Sequence, residues 1–383
     1  MMSFPKEEYL KRLDNIHKKL ENENIDAIVI TSPANFRYFS GLDSNFWESP
    51  TRPWFLIISK NGKIKALVPS IGLSAIESTF IKDIEVWQSP NPKDEGTSLL
   101  KKIIKTFPKN SNIGFELGME TYLRMSVKEF LKIKKDLQEY NFIDSTNIVW
   151  SLRKIKSDLE IKNIEKICSI TSKVFNNLIN KISLGMSERE IATIFKKDLI
   201  NNGVDYIMYL SCASGINGYN QIICNPSEKK IGDGDILIID TGSTLNGYYC
   251  DFDRNFGFGN INQKSLDAYN KLWDATEKTL EIIKPGISCK EVYESLSKNL
   301  FSSNVKSNVG RMGHGFGLQL TEPPSIMIDD NTILEKNMIL ALEPSIEIEN
   351  DLMLVHEENI LITQNGNRLL TSRTPKELPV INV

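Results

Sequence analysis

Features that would assign a protein class at once are scarce or absent from this sequence of 383 residues. No stretch approaches the roughly 18 uninterrupted apolar residues of a membrane-spanning helix, so we expect no membrane insertion. The net charge is -3 and no long run of Lys or Arg occurs, so nothing indicates a nucleic-acid partner. The N-terminal segment MMSFPKEEYLKRL lacks the apolar core of a signal peptide, which predicts a cytoplasmic protein. Small molecules or peptides are the expected partners.

Cysteine is also scarce, and its positions disfavour two further classes of site. The chain has an odd number of cysteines without CxxC spacing: Cys168, Cys212, Cys224, Cys250 and Cys289. This pattern disfavours both a disulfide framework and a thiolate zinc site. We therefore expect reduced thiols.

The length predicts two domains, because single hydrophobic cores seldom grow beyond about 250–300 residues. We place the first domain at 1–150 and the second at 151–383. The first would contain a strand at 113–115 and a helix at 127–140, and the second would begin with a long helix over 157–182.

The first segments of the chain have the periodicity of an α/β domain. Apolar residues recur at helical spacing from Leu10 to Leu20, and the apolar run 25–30 predicts a buried strand. Segments 54–59 and 64–68 flank an Asn-Gly turn, which is typical of a hairpin.

The second domain contains a weak internal repeat. The segments SLGMSEREI and KPGISCKEV both carry a serine followed by a glutamate three residues later, at Ser187 and Glu190 and at Ser288 and Glu291. This is the capping box that begins a helix. Duplication and coincidence are both open explanations, and duplicated halves often place a site at their junction.

Two aspartates in the second domain are candidate ligands. Asp240 follows the apolar run 236–239 and precedes a glycine turn, which predicts a carboxylate at the end of a strand. Asp251 follows after eleven residues, a separation that a short hairpin can span to bring both carboxylates to neighbouring strand ends. Their mutual repulsion would need a cation. Each acid also has a structural explanation, because Asp240 could cap a turn and Asp251 could be solvated.

A histidine and two glutamates complete the pattern. His314 lies between Gly313 and Gly315, where the backbone could approach a ligand closely. Glu343 and Glu357 each adjoin an apolar run, where an ionised carboxylate is costly unless it is paired or metal-bound. Oxygen ligands with one nitrogen suit Mn, Fe, Co or Zn, and bridging acids suit two ions about 3.5–4 Å apart.

These motifs together resemble the superfamily of creatinase, methionine aminopeptidase and Xaa-Pro peptidases. In order, the resemblance includes NFRYFSG, SLRKIKSDLEI, IDTG, YYCDFDR, GHGFGL, TEPP, LEP and HEENILIT. It implies an α/β (α+β) protein in which a creatinase-like N-terminal domain precedes a pita-bread catalytic domain. It also implies a homodimer and two divalent metal ions, with the ligands Asp240, Asp251, His314, Glu343 and Glu357.

Three departures from the peptidases favour a small-molecule enzyme. Thr321 replaces the first histidine of the peptidase motif HEPP, and Cys224 replaces the histidine of a His-Asn-Pro stretch in creatinase. Val355 stands where proline-specific peptidases have an arginine. The segment WESPTRPWFLII resembles a creatinase stretch, which implies that Arg52 reaches the partner subunit's site and holds a substrate carboxylate.

Aromatic side chains could form a cage for a methylated cation or could simply be core residues: Trp47, Trp54, Tyr219, Tyr248 and Tyr249.

Three hypotheses follow for the activity. The first is a metal-dependent enzyme that cleaves a C–S or C–N bond of a small carboxylate-bearing zwitterion, as a dimethylsulfoniopropionate lyase or a creatinase-like hydrolase does. Its candidate bases are Tyr219, Tyr248, Tyr249 and Cys224, although Cys224 could instead be a buried apolar thiol.

The second hypothesis is an Xaa-Pro peptidase in which Glu343 shuttles protons and Thr321 replaces a dispensable histidine. The third is a non-catalytic binding protein, which the retention of all five ligands argues against. The departures favour the first hypothesis.

Overall fold

The computed structural model describes residues 2–49, 52–301, 310–349 and 351–382. The chain divides into two compact units, Met1–Arg153 and Lys154–Val383. Among the described residues, no helix has both the length and the apolar character that crossing a bilayer requires.

The first unit is a mixed α/β domain, as the sequence predicts. Its helices are α1 (Lys6–Asn22), α2 (Pro33–Ser40), α3 (Leu73–Glu77), α4 (Thr97–Ile104), α5 (Val127–Asp136) and α6 (Thr146–Arg153). Its strands are β1 (Ala27–Ile30), β2 (Phe55–Ser59), β3 (Ile64–Pro69), β4 (Ile84–Trp87), β5 (Asn112–Phe115) and β6 (Asn141–Asp144). Within the described residues they form one sheet in the order β4-β3-β2-β1-β5-β6.

The local predictions for this unit are confirmed, apart from one exposed leucine and one helix end. The helical spacing of α1 buries Leu13, Ile16 and Leu20, whereas Leu10 is exposed. Strands β2 and β3 form the predicted antiparallel hairpin. Helix α5 ends at Asp136, before the predicted end at 140. The reason is that the next residue leaves the helical conformation, with φ -123° and ψ 48°, and turns its buried leucine side chain into the core.

The second unit combines long helices with two sheets. Its helices are α7 (Asp158–Leu178), α8 (Glu188–Asn201), α9 (Gln263–Ile282) and α10 (Cys289–Leu300). Its strands are β7 (Tyr206–Ile216), β8 (Asp235–Leu245), β9 (Tyr248–Phe258), β10 (Gly313–Gly315), β11 (Glu322–Ser325), β12 (Ile339–Leu342), β13 (Ser345–Glu349), β14 (Leu352–Val355), β15 (Glu358–Ile362), β16 (Asn367–Leu369) and β17 (Val380–Ile381). In the described part of the chain, the first sheet has the order β17-β9-β8-β7, the second has the order β11-β10-β12-β15-β16, and β13 pairs with β14.

The first sheet corrects the predicted positions of the two aspartates. Strands β8 and β9 form the expected hairpin, but its turn lies at Asn246 and Gly247, which both have positive φ, as a tight hairpin turn requires. Asp240 and Asp251 therefore lie within long strands rather than at strand ends. On the face of β8 that carries Asp240, the apolar side chains of Ile236 and Ile238 give way to acids, because Asp253 lies directly opposite Asp240 on β9.

The second sheet gives the glycines around His314 a different role from the one expected. A Cβ at Gly313 would lie 2.3 Å from the carbonyl oxygen of Ala341, and one at Gly315 would lie 2.5 Å from that of Pro323. Strands β12 and β11 therefore approach β10 too closely for any side chain at these positions. The glycines permit strand pairing, not the approach of a ligand.

The internal repeat extends from sequence to tertiary hydrogen bonds. Both predicted capping boxes form, at the starts of α8 and α10. The backbone N–H of Gly185 donates to the carbonyl oxygen of Ile231 at 2.9 Å, and that of Gly286 donates to Leu334 at 2.9 Å. Helix α8 packs beside β7, while α10 packs on the second sheet. The starts of α8 and α10 are thus built alike, although the sheets of the two halves differ in strand order.

A glycine substitution tests the close pairing of β10 with β12. We expect Gly313→Ala to lower the free energy of unfolding by about 1–3 kcal/mol, the usual cost of overpacking, because the new methyl group would meet a backbone oxygen and φ is +148°. Gly366→Ala is the matched control, since a Cβ there meets nothing within 4 Å. Urea denaturation measures both, and equal stabilities of the two variants would contradict this account.

Candidate metal centre

One face of the first sheet carries a row of acids. Asp240 on β8 lies directly opposite Asp253 on β9, and Gly242 lies opposite Asp251. Opposite residues share a face, as do residues two apart along a strand. Asp240, Asp251 and Asp253 therefore project from the same face. Gly242 has no side chain in this row, and a Cβ there would lie 2.3 Å from Leu320 Cδ1.

The second sheet supplies the remaining candidates. His314 on β10 pairs with Ala341 on β12, and Glu343 comes directly after β12. Glu357 directly precedes β15, the next strand of the sheet. Strand pairing thus gathers residues that are far apart in sequence at one end of three neighbouring strands.

The two groups of residues meet side chain to side chain. His314 Nε2 lies 3.4 Å from Asp251 Oδ2 and 3.7 Å from Glu343 Oε1. Asp251, His314 and Glu357 each place one potential ligand atom so that all three atoms lie within 4.8 Å of one another. His314 Nδ1 lies 2.9 Å from the carbonyl oxygen of Gly315. Because a carbonyl only accepts, Nδ1 carries the proton, and the lone pair of Nε2 faces the acids.

Two side chains join the sheets beside these acids. The Asn359 side chain accepts a 3.1 Å hydrogen bond from the backbone N–H of Asp251 and donates to the backbone oxygen of the same residue. Arg254, on β9, donates to the backbone oxygen of Glu357 at 2.8 Å and pairs with Glu358 at 3.0 Å. These contacts position Asp251 against β15 and Glu357 against β9.

Burial and mutual repulsion make the acids resist ionisation. Burial, and then the charge of Glu343, raises the pKa of Asp240 to about 7. Burial and the charge of Asp240 raise the pKa of Asp251 well above its ordinary value, and burial and Asp251 do the same to the pKa of Glu357. Burial, reinforced by the charge of Arg311, lowers the pKa of His314 to about 4. The imidazole is therefore neutral. The acids need a nearby cation if all of them are to be ionised together.

The donor set fits a divalent metal. Oxygen donors with one imidazole nitrogen suit Mn, Fe, Co or Zn. Within the described residues, Asp240 Oδ1 and Asp253 Oδ2 are buried without a hydrogen-bond partner, as expected of atoms that would contact an ion. Asp251, His314 and Glu357 lie together, Glu343 reaches His314, and Asp240 lies beside Asp251 on the sheet. We keep these five as the predicted ligands.

The comparisons with known proteins agree with this geometry. Residues 162–364 match the model of metallopeptidase family M24, and residues 12–155 match the creatinase/prolidase N-terminal domain. The chain belongs to metallopeptidase family M24. The second unit therefore has the pita-bread fold that the resemblance implied, and the creatinase-like domain precedes it in the sequence.

The similarity to known proteins extends over almost the whole of this chain. The Xaa-Pro dipeptidase of Pyrococcus horikoshii is 28% identical over 372 residues, which is 96% of this chain and 98% of that protein. The Xaa-Pro dipeptidase of Pyrococcus furiosus is 28% identical over 375 residues, or 96% and 99%. The crystal structure of recombinant prolidase from Thermococcus sibiricus has a TM-score of 0.87 and 25% identity, with 97% and 99% covered.

These relatives overturn the favoured hypothesis from the sequence. The expected lyase or creatinase-like activity on a small zwitterion is wrong, because the full-length relatives named above are Xaa-Pro dipeptidases and prolidases. The M24 chain is a metal-dependent hydrolase, and metallopeptidases of this family use two divalent metal ions. Similarity along nearly the entire chain outweighs the differences at Thr321, Cys224 and Val355.

The side chains proposed as bases belong to that rejected elimination, and most are engaged elsewhere. The Tyr219 hydroxyl donates to Asn255 Oδ1 and accepts from the backbone N–H of Val355. The Tyr248 hydroxyl donates to Glu160. The half-buried Cys224 thiol lies 3.6 Å from the backbone oxygen of Cys212. Tyr249 is half-buried, and its backbone N–H donates to Gly317.

The predicted substrate contacts divide between the units. Thr321, in the second unit, accepts a 3.3 Å hydrogen bond from Arg311. Trp54 is buried in the first unit, with Trp47 against it at a centroid distance of 6.5 Å. The guanidinium of Arg52 lies 5.1 Å from the centre of the Phe46 ring.

Sequence reasoning missed four side chains at the metal centre: Tyr209, Asp253, Arg311 and Asn359. The Tyr209 hydroxyl donates to the backbone oxygen of Ile222 at 3.1 Å. Burial raises the pKa of Asp240, and the nearby Tyr209 hydroxyl opposes this rise. The spacing Asp251-Phe-Asp253 within a strand could have signalled Asp253, because alternate residues share a face. Arg311 and Asn359 had no such signal.

Metal binding tests the predicted ligands. Adding Mn²⁺ to chelator-treated protein should raise its thermal midpoint, because an ion that binds only the folded state stabilises it by about 2.7 kcal/mol at 100 times its Kd. His314→Gln should lower both the bound metal and this shift. His17→Gln, a histidine substitution in the first unit, should change neither. Equal metal contents in the two variants, measured by elemental analysis, would count against His314 as a ligand.

Proposed function

We propose that this chain is an Xaa-Pro dipeptidase, a two-metal enzyme that hydrolyses the amide bond before proline in small peptides. The observation that carries the proposal is the convergence of Asp251, His314 and Glu357 within 4.8 Å. The full-length similarity to Xaa-Pro dipeptidases supports the substrate class. An intact cluster also argues against a non-catalytic binding protein, which would have no need to hold repelling acids together.

Glu343 is the chain's candidate for proton transfer. When bound, the metal pair supplies the Lewis acidity that allows water to attack an amide near neutral pH. The Glu343 side chain is 26% exposed, compared with 7% for Asp251, the other acid that faces His314 Nε2. Burial raises its pKa above the ordinary value, which suits a carboxylate that must accept a proton from water and donate it to the leaving amine.

Arg311 is a candidate hydrogen-bond donor to the substrate, since Thr321 stands where related peptidases have a histidine. Its Nε lies 3.4 Å from Glu343 Oε1 and its Nη2 lies 3.3 Å from Thr321 Oγ1. The Arg311 side chain is 34% exposed, so a substrate could reach the guanidinium. We infer that Arg311 donates hydrogen bonds to a substrate oxygen, either the scissile carbonyl or the terminal carboxylate, and that Thr321 orients it.

Arg52 is a second candidate for the substrate carboxylate, acting from the partner subunit of a homodimer. Its loop is well supported within the first unit. The Arg52 backbone N–H donates to Glu95 Oε1 at 3.0 Å, and buried Arg124 donates to the Arg52 backbone oxygen at 3.1 Å. Arg52 also has a positive φ of 57°, a conformation that costs energy outside glycine. Dimerisation and a cytoplasmic location remain predictions.

Hydrolysis of defined dipeptides tests the proposed activity. Protein loaded with Mn²⁺, Co²⁺ or Zn²⁺ should release proline from Ala-Pro and Met-Pro and should cleave Ala-Ala much more slowly, as amino-acid analysis would show. His314→Gln should be inactive, because it lacks a predicted ligand, and His17→Gln should remain active. The proposal fails if protein with two bound ions cleaves none of these peptides, or prefers Ala-Ala.

The two arginines can be ranked by kinetics. Arg311→Gln should lower kcat/KM for Ala-Pro roughly tenfold to a hundredfold, because a hydrogen bond to a charged group contributes about 1.5–3 kcal/mol. Arg52→Ala should raise KM, and its effect should shrink with Ala-Pro amide, which has no terminal carboxylate. Arg189→Gln, which removes an exposed partner of Glu228, is the control. A variant with kinetics like this control would remove its arginine from the substrate site.

A further inference from the structure

Asp253 is a buried acid that the predicted five-ligand set leaves unused. It is 2% exposed and lies opposite Asp240 across the β8–β9 pair. It also shares a face with Asp251, two residues earlier on the same strand. The side chain therefore projects from the same face of the sheet as the predicted ligands Asp240 and Asp251.

The hydrogen bonds around Asp253 leave one oxygen unsatisfied. Its Oδ1 accepts a 3.3 Å hydrogen bond from Asn255 Nδ2. Its Oδ2 is buried and has no partner among the described residues. Asn255 is held in place, because the same Nδ2 donates to the Val355 backbone oxygen at 2.7 Å and its Oδ1 accepts from Tyr219. The Asn255 amide therefore holds one oxygen of the carboxylate and leaves Oδ2 without a partner.

Among the described residues, the guanidinium of the adjacent Arg254 does not pair with the Asp253 carboxylate. The adjacent Arg254 gives its Nη2 to Glu358 Oε2 and to the Ser372 backbone oxygen. Its Nη1 donates to the backbone oxygens of Asp253 and Glu357. A buried carboxylate oxygen without a partner is costly. Asp240 Oδ1, on the residue directly opposite, is also without a partner, so the same missing contact would explain both atoms.

We propose that Asp253 is an additional carboxylate ligand of the metal centre, which contacts an ion together with Asp240. Four acids of the predicted set already match the charge of two divalent ions. Asp253 adds one negative charge, and the guanidinium of Arg311 beside Glu343 adds one positive charge at the same centre. The extra oxygen donor makes the site harder, which favours Mn²⁺ over Zn²⁺.

Metal titration of an isosteric variant tests this assignment. Asp253→Asn should weaken Mn²⁺ binding by about 10–100-fold, the range seen when groups that support a metal site are removed. Asp235→Asn is the matched control, because Asp235 is a buried acid at the start of β8 that accepts from Gly232. Calorimetric titration of chelator-treated protein measures both. Wild-type affinity in Asp253→Asn would overturn the proposal.

Thermal unfolding separates a ligand from a residue that only supports the fold. Without metal, Asp253→Asn should melt at the same or a higher temperature than the wild type, because a repelling charge is gone and the new amide can donate to Asp240. Its midpoint should then rise less on addition of Mn²⁺. A lower midpoint without metal, or an unchanged electron paramagnetic resonance spectrum of bound Mn²⁺, would overturn Asp253 as a ligand. Neither measurement requires peptidase activity.

Discussion

Mutual repulsion among acids gathered between two sheets is the constraint on which the second unit depends. Asp251 and Glu357 are buried, and burial together with the charges of neighbouring acids raises the pKa of each well above its ordinary value. Such a cluster persists only if the backbone holds it and a cation can neutralise it. Asn359 and Arg254 hold the backbone in place, because their hydrogen bonds join β9 to the start of β15 at the two acids. Bound divalent ions would neutralise the negative charge.

The two sheets of the second unit bring these acids together. Each half begins a helix with the same capping box and fixes it with the same type of backbone hydrogen bond. Asp240, Asp251 and Asp253 come from the first sheet, and His314, Glu343 and Glu357 come from or beside the strands of the second. Because the sheets are rigid hydrogen-bonded units, side chains at fixed register positions converge with little freedom, as a metal centre requires.

Three local substitutions and the similarity of the whole chain favour different functions for this protein. Thr321, Cys224 and Val355 stand where related enzymes have basic side chains, and these differences favoured a non-peptidase from sequence. Similarity along nearly the entire chain to Xaa-Pro dipeptidases outweighs them. Arg311 offers a physical reason, since its guanidinium contacts both Thr321 and Glu343. Under the proposed function, a donor from this neighbouring loop position replaces the absent histidine.

The sequence by itself determined what depends on short-range pattern: the helices with their capping boxes, the β2–β3 hairpin, and the acids and histidine beside apolar runs. Only the tertiary structure decided what depends on register. It moved Asp240 and Asp251 from strand ends into strands, assigned the glycines around His314 to strand packing, and brought Asp253, Arg311 and Asn359 to the centre. The reason is that a residue's neighbours across a sheet are set by pairing between distant segments, which local spacing does not encode.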